Sequence, residues 1–269
     1  LVAFWVTYPP ASEDEVVALL YEHGTVGIEH AAVAGGGALV AYFPSSLAAS
    51  LEEAPRSPDV AWRRAPVPAV DWVARFREGF RPFDAGRFRI VPAWDAGERA
   101  ARSDALIVDP GRAFGTGTHE TTRLCLEALG RLADGPGLGR VIDIGTGSGL
   151  LAIAALRLGA TTAVGVDNDR DALSGARHHA TLNRVRLGLL AGDGGRAIRP
   201  ASFDTVLANL MAPLLLERRA ELDGLRAPHG RLVLSGLLLE DLALLREAYQ
   251  SLGPLEELRA GEWAALLVG

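Results

Sequence analysis

Apolar positions along the chain alternate between short β-branched runs and helical stripes, and the arrangement changes near residue 65. Val2 to Tyr8 predicts a strand. Ser12-x-x-Glu15 forms a capping box for a helix through His23, which Gly24 ends. Val26 to Ala34 and Ala38 to Phe43 predict two strands joined by Gly35-Gly36-Gly37. Ser45 to Ala54 then predicts a short helix, and Asp59 to Arg64 a fourth strand. This β-α-β-β-α-β order predicts a small ferredoxin-like α+β domain over residues 1–65. A unit of that size is only marginally stable alone, and one role for it is to hold a partner.

Ala65 to Ala69, with Pro66 and Pro68, is the candidate linker. Asp71 to Phe80 continues it as a linker helix, with Trp72, Phe76 and Phe80 four apart on one face. The linker and its helix together occupy residues 66–82. Over residues 83–269 strands and helices alternate. Strands are predicted at Arg87–Val91 and Leu106–Val108, on either side of a turn-rich stretch, and further strands at Val141–Ile144, Ala163–Val166, Leu187–Gly192, Phe203–Ala208 and Arg231–Ser235. Helices are predicted through Leu132, at Leu150–Leu158, Arg170–Asn183, Pro213–Leu225 and Leu239–Leu252. Leu255–Arg259 and Trp263–Val268 close the chain as a hairpin about Gly261. The alternation predicts a Rossmann-like, doubly wound, mainly parallel sheet that binds ligands at the carboxyl ends of its strands.

The strand Val141–Ile144 runs into V-I-D-I-G-T-G-S-G. Gly145, Gly147 and Gly149 let the backbone turn tightly and let a ligand approach with no Cβ in the way. The following helix points its N-terminus at this loop. Asp167, about 20 residues beyond the glycines, is placed to take the hydroxyls of a ribose. The spacing is G-x-G-x-G, and Leu150 stands where a dinucleotide site needs its third glycine, which disfavours a nicotinamide oxidoreductase. No lysine follows the loop, so it is not a P-loop. Asp143, inside the strand, is costly to bury without a purpose. Together these features favour S-adenosylmethionine, which has a ribose and an amino-acid end but no phosphate.

Composition narrows the field further. The chain has 269 residues, 49% hydrophobic and 22% charged, within the range of a soluble globular protein. All 27 basic residues are arginine, which removes Schiff-base enzymes built on lysine and Walker-type nucleotidases. The net charge of −6 suits a basic protein substrate better than a nucleic acid. One cysteine, Cys125, excludes an internal disulfide, fits a reducing cytoplasm and reads as a small core residue on a helix. Leu1 to Pro10 lacks the basic region of a signal peptide, and no apolar run approaches a membrane span.

Asp109 to Thr122, D-P-G-R-A-F-G-T-G-T-H-E-T-T, gathers three glycines, four threonines, a histidine and two acids ahead of a helix. Its threonines and amides could grip a carboxylate or carbonyl. His119 has no second histidine at ligand spacing, so capping or packing is its default role over metal binding. Asp193, in a G-D-G-G turn, is either a turn former or a ligand near an adenine. Asn209 is either a helix N-cap or an acceptor for an amine.

From Asp71 to the C-terminus the chain resembles the bacterial ribosomal protein L11 methyltransferases. The likeness rests on D-W-V-A-R-F-R-E-G-F-R-P-F, R-I-V-P-A-W, D-P-G-R-A-F-G-T-G-T-H-E-T-T, V-I-D-I-G-T-G-S-G, V-L-A-N-L, L-S-G-L-L and G-E-W-A-A-L-L-V. Residues 1–65 match in pattern more than in letters. Arg112 departs from the methionine common in that family, a change expected to alter the loop over the cofactor rather than abolish activity. The resemblance implies a ferredoxin-like recognition domain, a mobile linker and a catalytic domain using S-adenosylmethionine. It implies methylation of lysine side chains and the N-terminal α-amine of L11, free or on the ribosome, in the cytoplasm. No membrane partner or direct nucleic-acid contact is expected. By the same resemblance Thr122, Gly145, Asp167 and Asn209 contact the cofactor and Phe114 and Gly147 line its pocket; Asn209 is further expected to orient the amine, and no metal is expected. The rival readings are a methyltransferase acting on RNA or another protein, and a non-catalytic cofactor-binding module that docks on ribosomes. A glutamine substrate is disfavoured because Asn209 is followed by Leu210, Met211 and Ala212 instead of P-P-Y.

Overall fold

The computed structural model describes residues 2–9, 12–25, 27–31, 37–47, 60–66, 80–97, 102, 104–109 and 117–269. The chain forms two compact units, residues 1–71 and 72–269. Most of the expected linker helix and of the second small-domain helix lies outside the described residues, as do Arg112 and Phe114.

In the first unit β1 (Val2–Tyr8), α1 (Glu13–Glu22), β2 (Gly27–Ala31), β3 (Gly37–Phe43) and β4 (Ala61–Ala65) follow in chain order. The strands form an antiparallel sheet, β2-β3-β1-β4. This is the strand order of a ferredoxin-like unit. Of the second helix only a 3₁₀ turn, Ser45–Leu47, is described. Period-two alternation turns Val2, Phe4, Val6 and Tyr8 inward, where they pack with Val16, Leu20, Leu39 and Phe43. Phe4 meets Phe43 and Trp62 edge-on, at ring separations of 5.9 and 6.4 Å.

The second unit opens with β5 (Phe83–Ala85), β6 (Phe88–Pro92) and β7 (Ala105–Val108), a small sheet in which β6 and β7 are parallel. Three residues are too few for β5 to show a period, so its sequence does not announce it. There follow α2 (Glu120–Asp134), β8 (Arg140–Ile144), α3 (Leu150–Arg157), β9 (Thr162–Asp167), α4 (Arg170–Leu182), β10 (Gly188–Ala191) and β11 (Phe203–Asn209). The remainder is α5 (Ala212–Glu217), α6 (Arg219–Leu225), β12 (Arg226–Leu238), α7 (Leu242–Tyr249), β13 (Leu255–Ala260) and β14 (Trp263–Val268). These strands build a seven-stranded sheet, β10-β9-β8-β11-β12-β14-β13, parallel except for β14. The doubly wound expectation therefore holds, with the closing hairpin folded so that β14 lies inside and β13 at the edge. The strand order reverses between β8 and β11, and that crevice is where such a sheet binds ligands.

Alternation assigns the two faces of the sheet. Val141 packs with Leu126, Leu129 and Ile153 on the α2–α3 side, whereas Ile142 and Ile144 pack with Val206, Leu232 and Tyr249 on the other. Cys125 is fully buried on α2, in the core role its sequence context suggests.

Two boundaries differ from the sequence pattern. The helix expected over Pro213–Leu225 is broken at Arg218 into α5 and α6. β12 is longer than Arg231–Ser235, because it absorbs the A-P-H-G turn sequence and continues past a bulge at Gly236. Gly236 has φ +87°, and a Cβ there would stand 2.3 Å from the Leu210 carbonyl oxygen. Gly236→Ala is expected to lower the unfolding free energy by roughly 2 kcal/mol or more, measured by chemical denaturation, since it adds both overpacking and left-handed strain.

Candidate active site

The loop after β8 takes the left-handed conformation at all three glycines, with φ of 73°, 52° and 76° at Gly145, Gly147 and Gly149. The amides of Gly145 and Thr146 donate to the Val166 carbonyl at 2.9 and 3.0 Å, tying the loop to the end of β9. Asp143 lies beneath this loop, 1% exposed. It accepts from the Thr146 hydroxyl at 2.7 Å and from the Ala152 amide in the first turn of α3. Gly165 leaves room for Thr146, whose side chain would lie 2.7 to 3.0 Å from a Cβ at that position. The purpose of the buried acid is therefore to brace the loop, not to meet a ligand.

The crevice between β8 and β11 is a cleft of about 510 Å³ that contains Gly145, Gly147, Asp167, Asp193 and Asn209 among its walls. Asp167 closes β9. One of its oxygens accepts from the Gly147 amide at 2.8 Å and the other from the Asp169 amide at 3.0 Å. Each oxygen keeps a lone pair for a ligand hydroxyl. Asp193 pairs with Arg218, which stands at the joint between α5 and α6. Glu221 on α6 takes the Gly195 amide, so the G-D-G-G turn is held from outside by the next helix pair. The break in the expected helix thus brings a guanidinium to the cleft wall, a role the sequence pattern did not disclose.

Asn209 ends β11 on the face that carries α2. It is not a helix cap, since Met211 occupies the N-cap position of α5. Its Nδ2 donates to the Thr121 hydroxyl at 3.3 Å, leaving Oδ1 as a free acceptor position. Thr122 and Asn209 also line a smaller space of about 50 Å³ together with Gly145 and Ser148. The Thr122 hydroxyl is buried there with no hydrogen-bond partner among the described residues. The N-termini of α2 and α3 both reach this space, so it favours a carboxylate. These residues fit S-adenosylmethionine: an acid for its ribose, an unpartnered hydroxyl and helix N-termini for its carboxylate.

The family model for ribosomal protein L11 methyltransferase (PrmA) matches residues 38–268. This chain belongs to that family. The ribosomal protein L11 methyltransferase of Geobacter metallireducens is 41% identical over 219 residues, covering 80% of this chain and 70% of that protein. The one from Deinococcus radiodurans is 37% identical over 259 residues, covering 91% and 90%. Among solved structures, a ribosomal protein L11 methylase from Lactobacillus delbrueckii subsp. bulgaricus superposes with a TM-score of 0.63 at 30% identity, over 71% of this chain and 98% of that one. The expected class follows: the chain is a Rossmann-like, S-adenosylmethionine-dependent protein methyltransferase.

Within this family member, His119 is the N-cap of α2, as the capping alternative anticipated. Its Nδ1 accepts from the Thr121 amide at 3.3 Å and lies 2.8 Å from the Thr121 hydroxyl. The His119 ring meets Trp263 edge-on at 4.7 Å. A chain of contacts therefore runs from Trp263 through His119 and Thr121 to the Asn209 amide. No group of three or more histidine, cysteine, aspartate or glutamate side chains that could hold a metal is found among the described residues.

Burial pushes the Asp143 carboxyl up from 3.8 to about 6, against the Thr146 hydroxyl and Ala152 amide that favour its ionised form and with the Asp167 charge adding to the rise. Between those two values the native state holds more protons than the unfolded chain, so this group's contribution to stability falls as pH rises through the window. Asp143→Asn keeps a side chain able to accept from Ala152 and donate to Thr146. It is expected to exceed the wild type in stability at pH 7 by roughly 1–3 kcal/mol and to converge with it near pH 4, measured by denaturation across that range.

Proposed function

We propose that this protein transfers methyl groups from S-adenosylmethionine to amino groups of ribosomal protein L11, on lysine side chains and the N-terminal α-amine. Asn209 carries this reading, because it lines both the cleft that holds Asp167 and the small space that holds Thr122. In S-adenosylmethionine the sulfonium lies between the ribose and the amino-acid end, so a residue bordering both subsites stands beside the methyl group.

Asp167 holds the ribose hydroxyls, Thr122 the amino-acid end, and Gly145 and Gly147 admit the cofactor against the backbone. Bound S-adenosylmethionine supplies an electrophilic methyl, which the amine nitrogen takes as the carbon–sulfur bond breaks. The chain's own residues align the amine and free it of water and of its proton. A lysine amine with a pKa of about 10.4 is protonated at pH 7 and must become neutral to attack. Apolar Leu210, next to Asn209 on the cleft wall, favours the uncharged amine by desolvation. The Asn209 carbonyl oxygen then accepts an N–H and turns the lone pair toward the methyl. The proton leaves to water, so no strong base is required.

Residues 1–65 recognise the substrate, 66–82 connect, and 83–269 carry the chemistry. The face of the small sheet opposite its core supports the first role. It presents Trp5 with the Arg63 guanidinium over its ring at 5.5 Å, and Tyr42 bonded to Glu29. Substrate is met as free protein or on the ribosome, in the cytoplasm, without direct contact to nucleic acid. No helix among the described residues is long and apolar enough to cross a membrane.

The test is mass spectrometry of L11 and of ribosomal RNA after incubation with the protein and S-adenosylmethionine. Methyl increments on L11 support the proposal. Increments on RNA alone, or on neither, sink it. Asn209→Ala is expected to cut turnover on L11 by at least tenfold with a smaller effect on cofactor affinity; unchanged turnover removes Asn209 from the mechanism. Thr122→Val should stabilise the ligand-free protein by about 1 kcal/mol, since it removes an unpartnered buried hydroxyl. The same change should weaken S-adenosylmethionine several-fold in calorimetry.

A further inference from the structure

His178 and His179, near the end of α4, take no part in the mechanism above, yet both reach the base of the Asp109–Thr122 segment. His179 is 1% exposed. Its Nδ1 lies 2.9 Å from the Ser148 carbonyl in the glycine loop, and its Nε2 accepts from the Asp109 amide at 2.9 Å. A carbonyl on one ring nitrogen and an amide N–H on the other define a neutral imidazole with its proton on Nδ1. One helical turn further on, Asn183 accepts from the Ile107 amide at 2.8 Å and donates to the Ile107 carbonyl at 2.7 Å. Backbone groups two residues apart on a strand face the same edge. Asn183 and His179 therefore stand in for a neighbouring strand along β7, and His179 extends that pairing to the first residue of the glycine- and threonine-rich segment. The Asp109 carboxylate is held separately, 3.0 Å from His178 Nε2.

We infer that His179 is a positioning residue for cofactor binding, its neutral imidazole tying the glycine loop at Ser148 to the base of the Asp109–Thr122 segment. The inference rests on the S-adenosylmethionine reading of the cleft. Its physical content is that the glycine loop and the end of β7 are set against each other by one ring. Protonation places an N–H on Nε2 opposite the Asp109 N–H, so the bond is lost and two donors face each other. The titratable groups facing this ring are His178 on the same helix and Asp109 at the end of β7. Burial holds the imidazole below the usual histidine range, consistent with a ring that stays neutral where the enzyme works.

The experiment measures S-adenosylmethionine affinity by calorimetry on the full chain from pH 8 to pH 5, with nitrogen-detected NMR of the histidines in parallel. His179→Leu is expected to weaken binding by about tenfold at pH 8, the scale of a buried hydrogen-bonded pair. The ratio of variant to wild-type Kd should then shrink toward one across the range in which NMR shows His179 titrating. Groups common to both proteins, Asp143 among them, cancel in that ratio. His179→Gln, which keeps a donor and an acceptor but has no proton to gain, should bind within a few-fold of wild type at pH 8 and fall away less at low pH. NMR should find the Nδ1–H tautomer in the ligand-free protein.

Equal affinity of His179→Leu and wild type at pH 8, a Kd ratio that stays constant across the range in which NMR shows His179 titrating, or an Nε2–H tautomer each overturns the inference. If His179→Leu does not fold, His179→Gln and the tautomer carry the test. If the wild type itself does not bind S-adenosylmethionine, the cofactor reading fails, and the tautomer still decides whether the bridge exists.

Discussion

A carboxylate buried at the end of a central strand organises the catalytic unit. Asp143 is out of reach of solvent, and its ionised form is favoured only by the Thr146 hydroxyl and the Ala152 amide. Those two partners belong to the loop and to the helix that follows it. A charge in that position is costly unless both bonds are made, so strand, loop and helix are locked into one arrangement. The glycines supply the φ angles this arrangement needs, and Gly165 on the neighbouring strand supplies the space.

That lock sets the loop amides where the rest of the site requires them. The Gly147 amide meets Asp167, and the Ser148 carbonyl meets His179. Asp167 is thereby held on the wall of the cleft, while Asp143, only 24 residues earlier in the chain by number, is turned to a structural task. The difference follows from strand alternation: Asp143 points toward the α2–α3 core, whereas Asp167 sits at the last position of its strand, where the backbone opens onto the cleft. On the far side, the Asn209 amide is oriented through Thr121 and His119, so the acceptor position is prepared before any substrate arrives.

The parts of the fold that were legible in the sequence are those whose signal is local. The glycine spacing, the β-branched run before it and the acid 20 residues past Gly147 mark the cofactor crevice, because turn, strand and ribose geometry each demand particular residues at close range. The capping histidine is legible for the same reason, through bonds that span two residues. The three-residue strand Phe83–Ala85 is not, since it is too short to show a period and forms only by pairing with Phe88–Pro92. Nor is the contact made by Arg218 at the helix break, since its partner Asp193 lies 25 residues away in the chain.

By itself, then, the chain's order of residues determined the class of fold, the crevice and the chemistry of its ligand, because hydrophobic period and backbone permissiveness act over a few neighbours. Tertiary structure alone decided which acid is buried beneath the loop and which one opens onto the cleft. It alone left the Thr122 hydroxyl without a partner among the described residues, set Asn209 on the walls of both the cleft and the smaller space, and brought His179 to bridge Ser148 and Asp109. Each of these depends on contacts between segments tens of residues apart. The direction in which a side chain points, and what it meets there, is set by the packing of whole strands and helices, which no short stretch of sequence specifies.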